Sequence, residues 1–442
     1  MRSTDTYVWQ GAYSRQGDVA TASIPVGHWL QFSAPATNKP FWAFGFCWDG
    51  TPELFLKVEN GKLLVSSGAQ SPPFLTVLQR VDKEWTEANI EAAMAGATLT
   101  ELTIDANDPS EVAKAKRFPP ARLEASNISD AAGLPLEGLT ALDTRVLNDS
   151  RFFERMTELK ELSFVPGAHR FTGLESLKKL TSLTVNDAPA GIDISPLAAL
   201  TELWELHFRD CTSIKSFEPI GKLRKLRALT LPKNVTDDDL KKLRETGVLD
   251  NLESLDLRSC AGLKTLKPLT GLTKLHTLNL QFCDGLTDFA ALSSLPNLRA
   301  LNLDRSDGLK DLSFLKPLSG LRVLSVQCSD ADALKVLKDK DALEAIFIVG
   351  SIQDLSALPV AHLRELYLNG YKGSHLPANL RELQVVGLYN CENLDDDGVK
   401  ALLNSPKLLT HVFYSNAFGA KFKKDALIAE LLKKFPGCYL TF

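Results

Sequence analysis

Leucine recurs along most of this chain at a fixed spacing, and that spacing restricts the fold more than any other feature. From about Thr98 onward, segments of the form LxxLxL follow one another, and we call the middle leucine of each segment its anchor. Four consecutive anchors are 23 residues apart, at Leu255, Leu278, Leu301 and Leu324. Such a period predicts short repeats that stack in a row, because one repeat alone cannot bury its leucines.

The frame continues on both sides of these four anchors. Earlier steps are 21, 23 and 23 residues long, later steps are 22, 20 and 20, and two steps lengthen to 26. The remaining anchors are Leu162, Leu183, Leu206, Leu229, Ile346, Leu366, Val386 and Val412. Between residues 103 and 160 the leucine spacing is irregular, so the repeat boundaries there stay open at this point.

With its LxxLxL segments and a period of 20–26 residues, the sequence resembles the leucine-rich repeat family, whose longer pattern is LxxLxLxx(N/C)xL, over about three quarters of its length. The 23-residue units, such as "LKPLTGLTKLHTLNL", are similar to internalin repeats, which favours a bacterial source. The 26-residue units are similar to the cysteine-containing repeats of F-box substrate receptors, which implies a true helix after Thr236. The resemblance implies an α/β solenoid, a leucine-rich repeat horseshoe with parallel β-strands on its concave face.

The two ends of the chain differ from the repeats. Five of the six tryptophans lie in the first 85 residues, where leucine is sparse, and "ELFLKVENGKLLVSS" alternates around Asn60-Gly61 as a β-hairpin does. "HWLQFSA" and "FWAFGFCW" are further strand candidates. We predict a small β-rich N-terminal domain over 1–96, with a linking helix over 81–96. The solenoid then covers 97–422, and an amphipathic helix with a final strand forms a C-terminal cap over 423–442.

Four cysteines stand five residues after an anchor, where each strand is expected to end. In a stack of repeats this position points inward and meets the backbone of the neighbouring turn, so a small, buried, weakly donating side chain fits it. Zinc would require ligands that converge on one point, usually in closely spaced pairs, and the sequence has no CxxC. We interpret these cysteines as structural and predict no metal and no cofactor. They are Cys211, Cys260, Cys283 and Cys391, with Ser306 at the equivalent place.

The sequence gives no sign of an enzyme. It contains no GxGxxG, no phosphate-binding loop with Lys-Ser/Thr, no HExxH and no GxSxG. The acidic runs 237–239 and 395–397 could suggest calcium, but they precede helices, where negative charge is favoured. A net charge of −4 gives no electrostatic reason to bind nucleic acid or a membrane surface. Seven scattered cysteines and the lack of an apolar N-terminal segment favour the cytoplasm, with signal-independent secretion left open.

The predicted working surface is the concave face of the sheet. Side chains alternate along a strand, so residues one and three positions after each anchor project from this face. In the middle of the stack they are polar: His207, Arg209, Asp256, Arg258, Asn279, Gln281, Asn302, Asp304 and Gln327. Toward the C-terminus they become aromatic, with one amide among them: Phe347, Tyr367, Asn369, Tyr389 and Phe413.

Aromatic residues and arginine most often anchor protein interfaces. We therefore predict a non-enzymatic module that recognises another protein on this face, as an adaptor, an immunity-type inhibitor or an effector. Arg209 and Arg258, beside Asp256 and Asp304, would then tune specificity.

An alternative hypothesis assigns the activity to the N-terminal β segment, as a catalytic or small-ligand domain that the repeats direct to a target. Cys47, His28 and Asp49 lie in that segment and could form a Cys-His-Asp arrangement. A buried cysteine among aromatic residues is the simpler interpretation of Cys47.

Overall fold

The computed structural model divides the chain into two compact units, Met1–Leu183 and Thr184–Phe442. The residues that the structure describes are 6–9, 21–22, 29–33, 53–59, 62–66, 75–77, 85–86, 98–109, 112, 115–116, 119–125, 128, 133–147, 150–166, 171–306, 309, 311–394, 396–400, 402, 411–414, 424–435 and 439–441.

The first unit begins with antiparallel strands and continues with parallel ones. Its strands are β1 (Thr6–Trp9), β2 (Thr21–Ala22), β3 (Trp29–Ser33), β4 (Glu53–Glu59), β5 (Lys62–Ser66), β6 (Leu75–Val77), β7 (Trp85–Thr86), β8 (Thr98–Ile104), β9 (Pro120–Ala125), β10 (Ala141–Leu147) and β11 (Glu161–Pro166). Strands β3 to β6 and then β8 pair antiparallel in that order, while β1 pairs parallel with β3. The predicted hairpin is confirmed, because β4 and β5 pair from Glu59 and Lys62 outward. The candidate "HWLQFSA" contains β3, and "FWAFGFCW" lies outside the described residues.

One prediction for this unit is wrong at the residues that can be checked. Trp85 and Thr86, inside the helix expected over 81–96, form strand β7 instead, which pairs antiparallel with β2 through Trp85 and Ala22. Tryptophan and threonine favour extended backbone, and a partner strand far away in sequence leaves no trace in the local helical pattern. The rest of 81–96 lies outside the described residues.

Parallel pairing from β8 onward resolves the irregular repeats. Leu102 pairs with Leu123, Leu123 with Leu142, and Leu142 with Leu162. These leucines are therefore anchors, and the steps between their positions are 21, 19 and 20 residues. The solenoid frame thus begins at β8, and the predicted domain boundary at 96/97 remains a prediction.

The second unit is built on parallel strands, each paired with the next along the chain. After β12 (Ser182–Asn186), which contains the division between the units, these strands are β13 (Glu205–Arg209), β14 (Ala228–Thr230), β15 (Ser254–Asp256), β16 (Thr277–Asn279), β17 (Ala300–Leu303), β18 (Val323–Gln327), β19 (Ala345–Val349), β20 (Glu365–Asn369), β21 (Val385–Tyr389), β22 (His411–Tyr414) and β23 (Tyr439–Thr441). From Leu206 to Val412, each anchor predicted in this unit faces the next across the sheet. The parallel leucine-rich repeat fold predicted from the spacing is confirmed.

Short 3-10 helices return the chain between strands, and each buries at least one large apolar side chain. Those of the second unit are Ser195–Ala199, Glu218–Lys222, Leu249–Asn251, Lys267–Leu269, Ala290–Ser294, Ser313–Leu315 and Ala333–Leu337, and those of the first are Ser150–Arg155 and Leu174–Ser176. Several contain proline in the first turn, where its missing N–H leaves no hydrogen bond unmade. Leu197, Ile220 and Leu269 are fully buried, and each such side chain contributes about 1.5–3 kcal/mol of hydrophobic stabilisation.

The first 26-residue repeat contains the helix that its sequence predicts, α1 (Asp237–Thr246). The Asp239 amide donates to Thr236 Oγ1 at 3.4 Å, and the Thr236 amide donates back to Asp239 Oδ2 at 3.0 Å. Gly247 ends the helix with a left-handed φ of 75°. Asp237 accepts from the Lys264 amide at 3.0 Å, so this acidic run ties the helix start to the next repeat.

Two further helices whose bounds the structure describes are α2 (Asp396–Val399) and α3 (Lys424–Lys434). The second 26-residue repeat therefore has only one described helical turn in α2. The expected C-terminal helix and final strand are both present, as α3 and β23, and β23 pairs parallel with β22. Their role as a cap remains a proposal.

Candidate functional site

The strands of the second unit bury one face and leave the other face partly exposed. In β20, Leu366 and Leu368 are buried while Tyr367 and Asn369 are half-exposed. The same alternation holds from β13 to β20, and we call the exposed side, one and three residues after each anchor, the open face. This is the side that the spacing predicts for the working surface.

A left-handed residue ends many of these strands. It stands four positions after the anchor, with φ of 54° at Asp210, 61° at Ser259, 59° at Phe282 and 54° at Arg305. Simple alternation would turn the side chain at this fourth position inward, but the left-handed backbone changes the direction and turns the fifth side chain inward instead. This geometry explains why the cysteines stand five residues after their anchors.

The cysteines bind the backbone of the preceding turn. Their Sγ atoms lie 3.1 to 3.7 Å from a carbonyl oxygen there, and Ser306 Oγ donates to the Leu280 oxygen at 3.0 Å in the same way. Burial raises the pKa of the Cys283 and Cys391 thiols to about 11, and it raises the pKa of Cys211 and Cys260 too. These thiols therefore stay protonated near neutral pH, which supports the structural interpretation.

The polar part of the open face, on β13 to β15, makes its own contacts. His207 Nδ1 lies 2.8 Å from Thr230 Oγ1 on the next strand. Burial lowers the pKa of His207, and the charge of Arg209 lowers it further. Asp256 accepts from the Arg258 amide at 2.9 Å and from its guanidinium at 3.2 Å. Arg258 is thus paired with Asp256 on its own strand.

The aromatic part of the open face is centred on β19 and β20. The rings of Phe347 and Tyr367 are stacked, with centroids 4.3 Å apart and an interplanar angle of 6°. Their strands pair in register at these residues, and neighbouring strands lie about 4.8 Å apart, so stacking follows from the sheet itself. Burial raises the pKa of Tyr367. On the next strand, β21, Tyr389 lies two positions beyond the residue that pairs with Tyr367, and it pairs with Asn369.

Gly387 stands where the next aromatic ring after Phe347 and Tyr367 would be expected. It is the main residue of the site that the sequence did not predict. It follows Phe347 and Tyr367 at the same position of the next repeat. A Cβ atom there would overlap Tyr367 Cδ1 and lie 3.0 Å from Tyr389 Cε2. The missing side chain therefore leaves room for the Tyr367 ring. The signal was in the sequence, as a glycine in register beside a tyrosine.

A groove of about 500 Å³ runs along the open face from β16 to β21. Small side chains, Ala300 and Ser325, line it beside the stacked rings. Val349 adds apolar surface, and sequence reasoning passed over it because it is neither aromatic nor charged. The predicted residues that the groove brings together are Asn279, Gln281, Asn302, Asp304, Phe347, Tyr367, Asn369 and Tyr389.

The other predicted residues lie elsewhere. Gln327 lines an adjoining depression of about 410 Å³ at the strand ends, beside Phe282 and Arg305. His207, Arg209, Asp256 and Arg258 are outside the groove lining, on β13, on β15 and in the residues that follow β15. Phe413 pairs through its backbone with Gly387, and its side chain is outside the described part of the chain. Cys47, His28 and Asp49, which the alternative hypothesis requires, also lie outside the described residues.

Metal sites and membrane spans can be assessed in the described residues alone. These residues contain no group of three or more His, Cys, Asp or Glu side chains placed to hold a metal ion. None of their helices has the length and apolar composition of a membrane span.

Similar folds occur among solved structures. An internalin from Listeria monocytogenes is 21% identical over 69% of this chain and 80% of its own, with a TM-score of 0.46. A leucine-rich repeat protein from Leptospira interrogans is 21% identical over 76% and 92%, with a TM-score of 0.47. The yeast Rad7 and Elc1 complex is 21% identical over 62% and 81%, with a TM-score of 0.43. No protein-family model and no curated protein sequence matches the chain. The fold assignment therefore stands on the repeats and strand register of this chain.

Proposed function

We propose that this leucine-rich repeat chain is a non-enzymatic protein-binding module, whose partner docks in the groove of the open face. The observation that carries the proposal is the stacked pair Phe347 and Tyr367, which lines the groove together with Tyr389. Aromatic side chains contribute large contact areas and dominate the energetics of many interfaces. An apolar groove with a polar margin is the arrangement that a protein partner fits.

The charge of the groove favours a protein over a nucleic acid. Among the described residues that line it, Asp304 is the one charged side chain, and none is lysine or arginine. Binding to a phosphate backbone depends on basic side chains that neutralise it. An RNA or DNA partner would therefore find repulsion where it needs attraction.

The absence of catalysis is part of the proposal. The repeat cysteines are buried and protonated, and each holds a carbonyl of the previous turn. The surface serves an adaptor, an immunity-type inhibitor or an effector, and the identity of the partner decides among these roles. We also propose the cytoplasm as the location, on the basis of the scattered cysteines.

The test uses the full chain as bait and follows one partner through a set of variants. Proteins captured from the source organism are quantified for wild type, Tyr367→Ala, Tyr389→Ala and Trp204→Ala. Trp204 is the matched control, because it is 58% exposed and lies outside the groove lining. We expect the purified partner to bind Tyr367→Ala at least about 30-fold more weakly, as for a hot-spot residue.

The control variant should bind like wild type, and circular dichroism checks that all variants remain folded. If the partner binds both tyrosine variants as tightly as wild type, the hypothesis that it docks in the groove is refuted. If residues 1–96 alone capture the partner, the result would support the alternative hypothesis, in which the N-terminal β segment carries the activity.

A further inference from the structure

One carboxylate oxygen in the groove lacks a hydrogen-bond donor. Asp304 Oδ2 accepts from Gln281 Nε2 at 2.9 Å, while Oδ1 is buried without a partner among the described residues. A buried acceptor that has lost water and gained no donor destabilises the protein, and more so when it belongs to a charged group. The penalty would fall if the negative charge of Asp304, whose side chain lines the groove, were neutralised by a bound cation.

Two nearby cations among the described residues have contacts elsewhere. Arg305, the next residue, has its guanidinium carbon 5.4 Å from the centre of the Phe282 ring. Arg258 is paired with Asp256 at 3.2 Å. In the part of the chain that the structure describes, Asp304 forms no ion pair. The single charge of the groove is therefore open to a positive charge from outside.

Apolar surface lies within reach of this carboxylate. Asp304 follows β17 and Phe347 lies on β19, so two strand spacings of about 5 Å across the sheet and a two-residue offset of about 7 Å along it separate them. Ser325 on β18, which pairs with Phe347, is a small residue that also lines the groove. One short segment can therefore contact the acid with one side chain and the stacked rings with a neighbouring one.

We infer that the groove recognises a protein segment in which an arginine, bound to Asp304, stands close to an aromatic or large apolar residue, packed on Phe347 and Tyr367. This inference rests on the proposed function and adds the chemistry of the partner. Arginine suits the site better than lysine, because its planar group presents several donors to a carboxylate and can also lie against an aromatic face. A neutral donor would leave the charge of Asp304 unpaired.

The experiment selects ligands before the partner itself is identified. A phage-displayed library of random linear peptides is panned on the full wild-type chain, on Asp304→Asn and on Asp210→Asn. Asp210→Asn is the matched control, because it removes the same charge at an exposed position outside the groove lining. We expect wild type and the control to enrich peptides with an arginine near an aromatic or large apolar residue. Asp304→Asn should lose the enrichment of arginine and keep that of the apolar residue.

A synthetic peptide from the wild-type selection then tests the interaction between the peptide's arginine and Asp304 directly. Replacing its arginine by citrulline removes the charge and keeps the shape. We expect this change to weaken binding to wild type by at least about tenfold, and to have little further effect on Asp304→Asn. Because the change is made in the peptide, the result does not depend on how well the protein variant folds.

The two proposals fail in different ways. Peptides that bind through Tyr367 and Tyr389 without any preference for arginine would overturn this inference and leave the proposed function in place. Equal loss with citrulline on wild type and Asp304→Asn would overturn it as well. A selection that yields no peptides sensitive to Tyr367→Ala contradicts both proposals.

Discussion

The two halves of the open face follow the same backbone frame and have opposite surface chemistry. On β13 to β15, the polar side chains are partnered within the chain, as His207 is with Thr230 and Asp256 with Arg258. On β19 to β21, Phe347 and Tyr367 stack on one another and still line an open groove. In the first half, polar side chains form hydrogen bonds and an ion pair with other residues of the chain. The second half presents apolar surface to solvent.

This difference shows that the repeat frame and the chemistry of the open face are specified by separate positions. The anchors and the inward residues at the strand ends are shared by both halves, since Cys260 and Cys391 bind carbonyls in the same way. The residues one and three positions after the anchor change from mostly polar in the first half to mostly aromatic or apolar in the second. A binding site can therefore be altered on this scaffold without a change in its packing.

The largest effects are expected where the two halves are alike. Cys260→Leu and Cys391→Leu should each lower the free energy of unfolding by about 1–3 kcal/mol, because both overpack a buried site. Cys283→Ser should be tolerated, since Ser306 already occupies the equivalent place and donates to a carbonyl at 3.0 Å. Urea denaturation followed by circular dichroism measures these differences.

The comparison fails if Leu is accepted at one cysteine and not at the other. In that case the two halves would not share one packing rule. Stoichiometric zinc in the purified protein that disappears when Cys283 is replaced would refute the structural role of the repeat cysteines.

A somewhat smaller effect is expected where the halves differ. Gly387→Ala places a methyl group against the Tyr367 ring and should lower the free energy of unfolding by about 1–2 kcal/mol. Gly320→Ala is the matched control, because a Cβ there meets nothing within 4 Å and its φ is not left-handed. We expect the control to change stability by less than about 0.5 kcal/mol.

A double variant identifies the cause. If the methyl group collides with the ring, Gly387→Ala should be much less harmful in a Tyr367→Ala background, and the two changes will not add. Simple additivity of the two losses would show that Gly387 is required for another reason.

The spacing of leucines predicted most of the fold because it is repeated many times and each repeat obeys the same rule. It failed between residues 103 and 160 for a local reason. Ala125 and Thr144 stand two positions after the anchors Leu123 and Leu142, where the regular repeats have a leucine or another large apolar residue. Both are nonetheless buried, so the backbone keeps a frame that the side chains no longer display.

The candidate site could be predicted only in part. Alternation along the strands placed Phe347, Tyr367 and Tyr389 on the open face, and the structure places all three in the groove. The depth of the groove and the unpaired Asp304 Oδ1 depend on how side chains from several repeats settle against each other. Such contacts join residues about 20 positions apart, and no local pattern in the sequence records them.

The smallest expected effect is a dependence of the free energy of unfolding on pH, caused by His207 in the polar half, on β13 to β15. His207 has a pKa below its usual value, chiefly because it is buried. The unfolded chain has the ordinary histidine pKa of about 6.5, so between the two values the unfolded state binds more protons. The contribution of His207 to the free energy of unfolding should therefore be constant above about pH 7.5 and fall as the pH drops through about 6.5 toward the folded pKa.

His207→Gln keeps a polar side chain and removes the titration. Unfolding of wild type and this variant is compared at pH 7.5 and at pH 5.5, and wild type should lose more stability between them. The charges of Glu205 and Asp256 oppose the effect of burial, so the difference is the smallest of the three. An NMR titration that places the His207 pKa above that of a free histidine would reverse the sign, and stability would then rise as the pH falls.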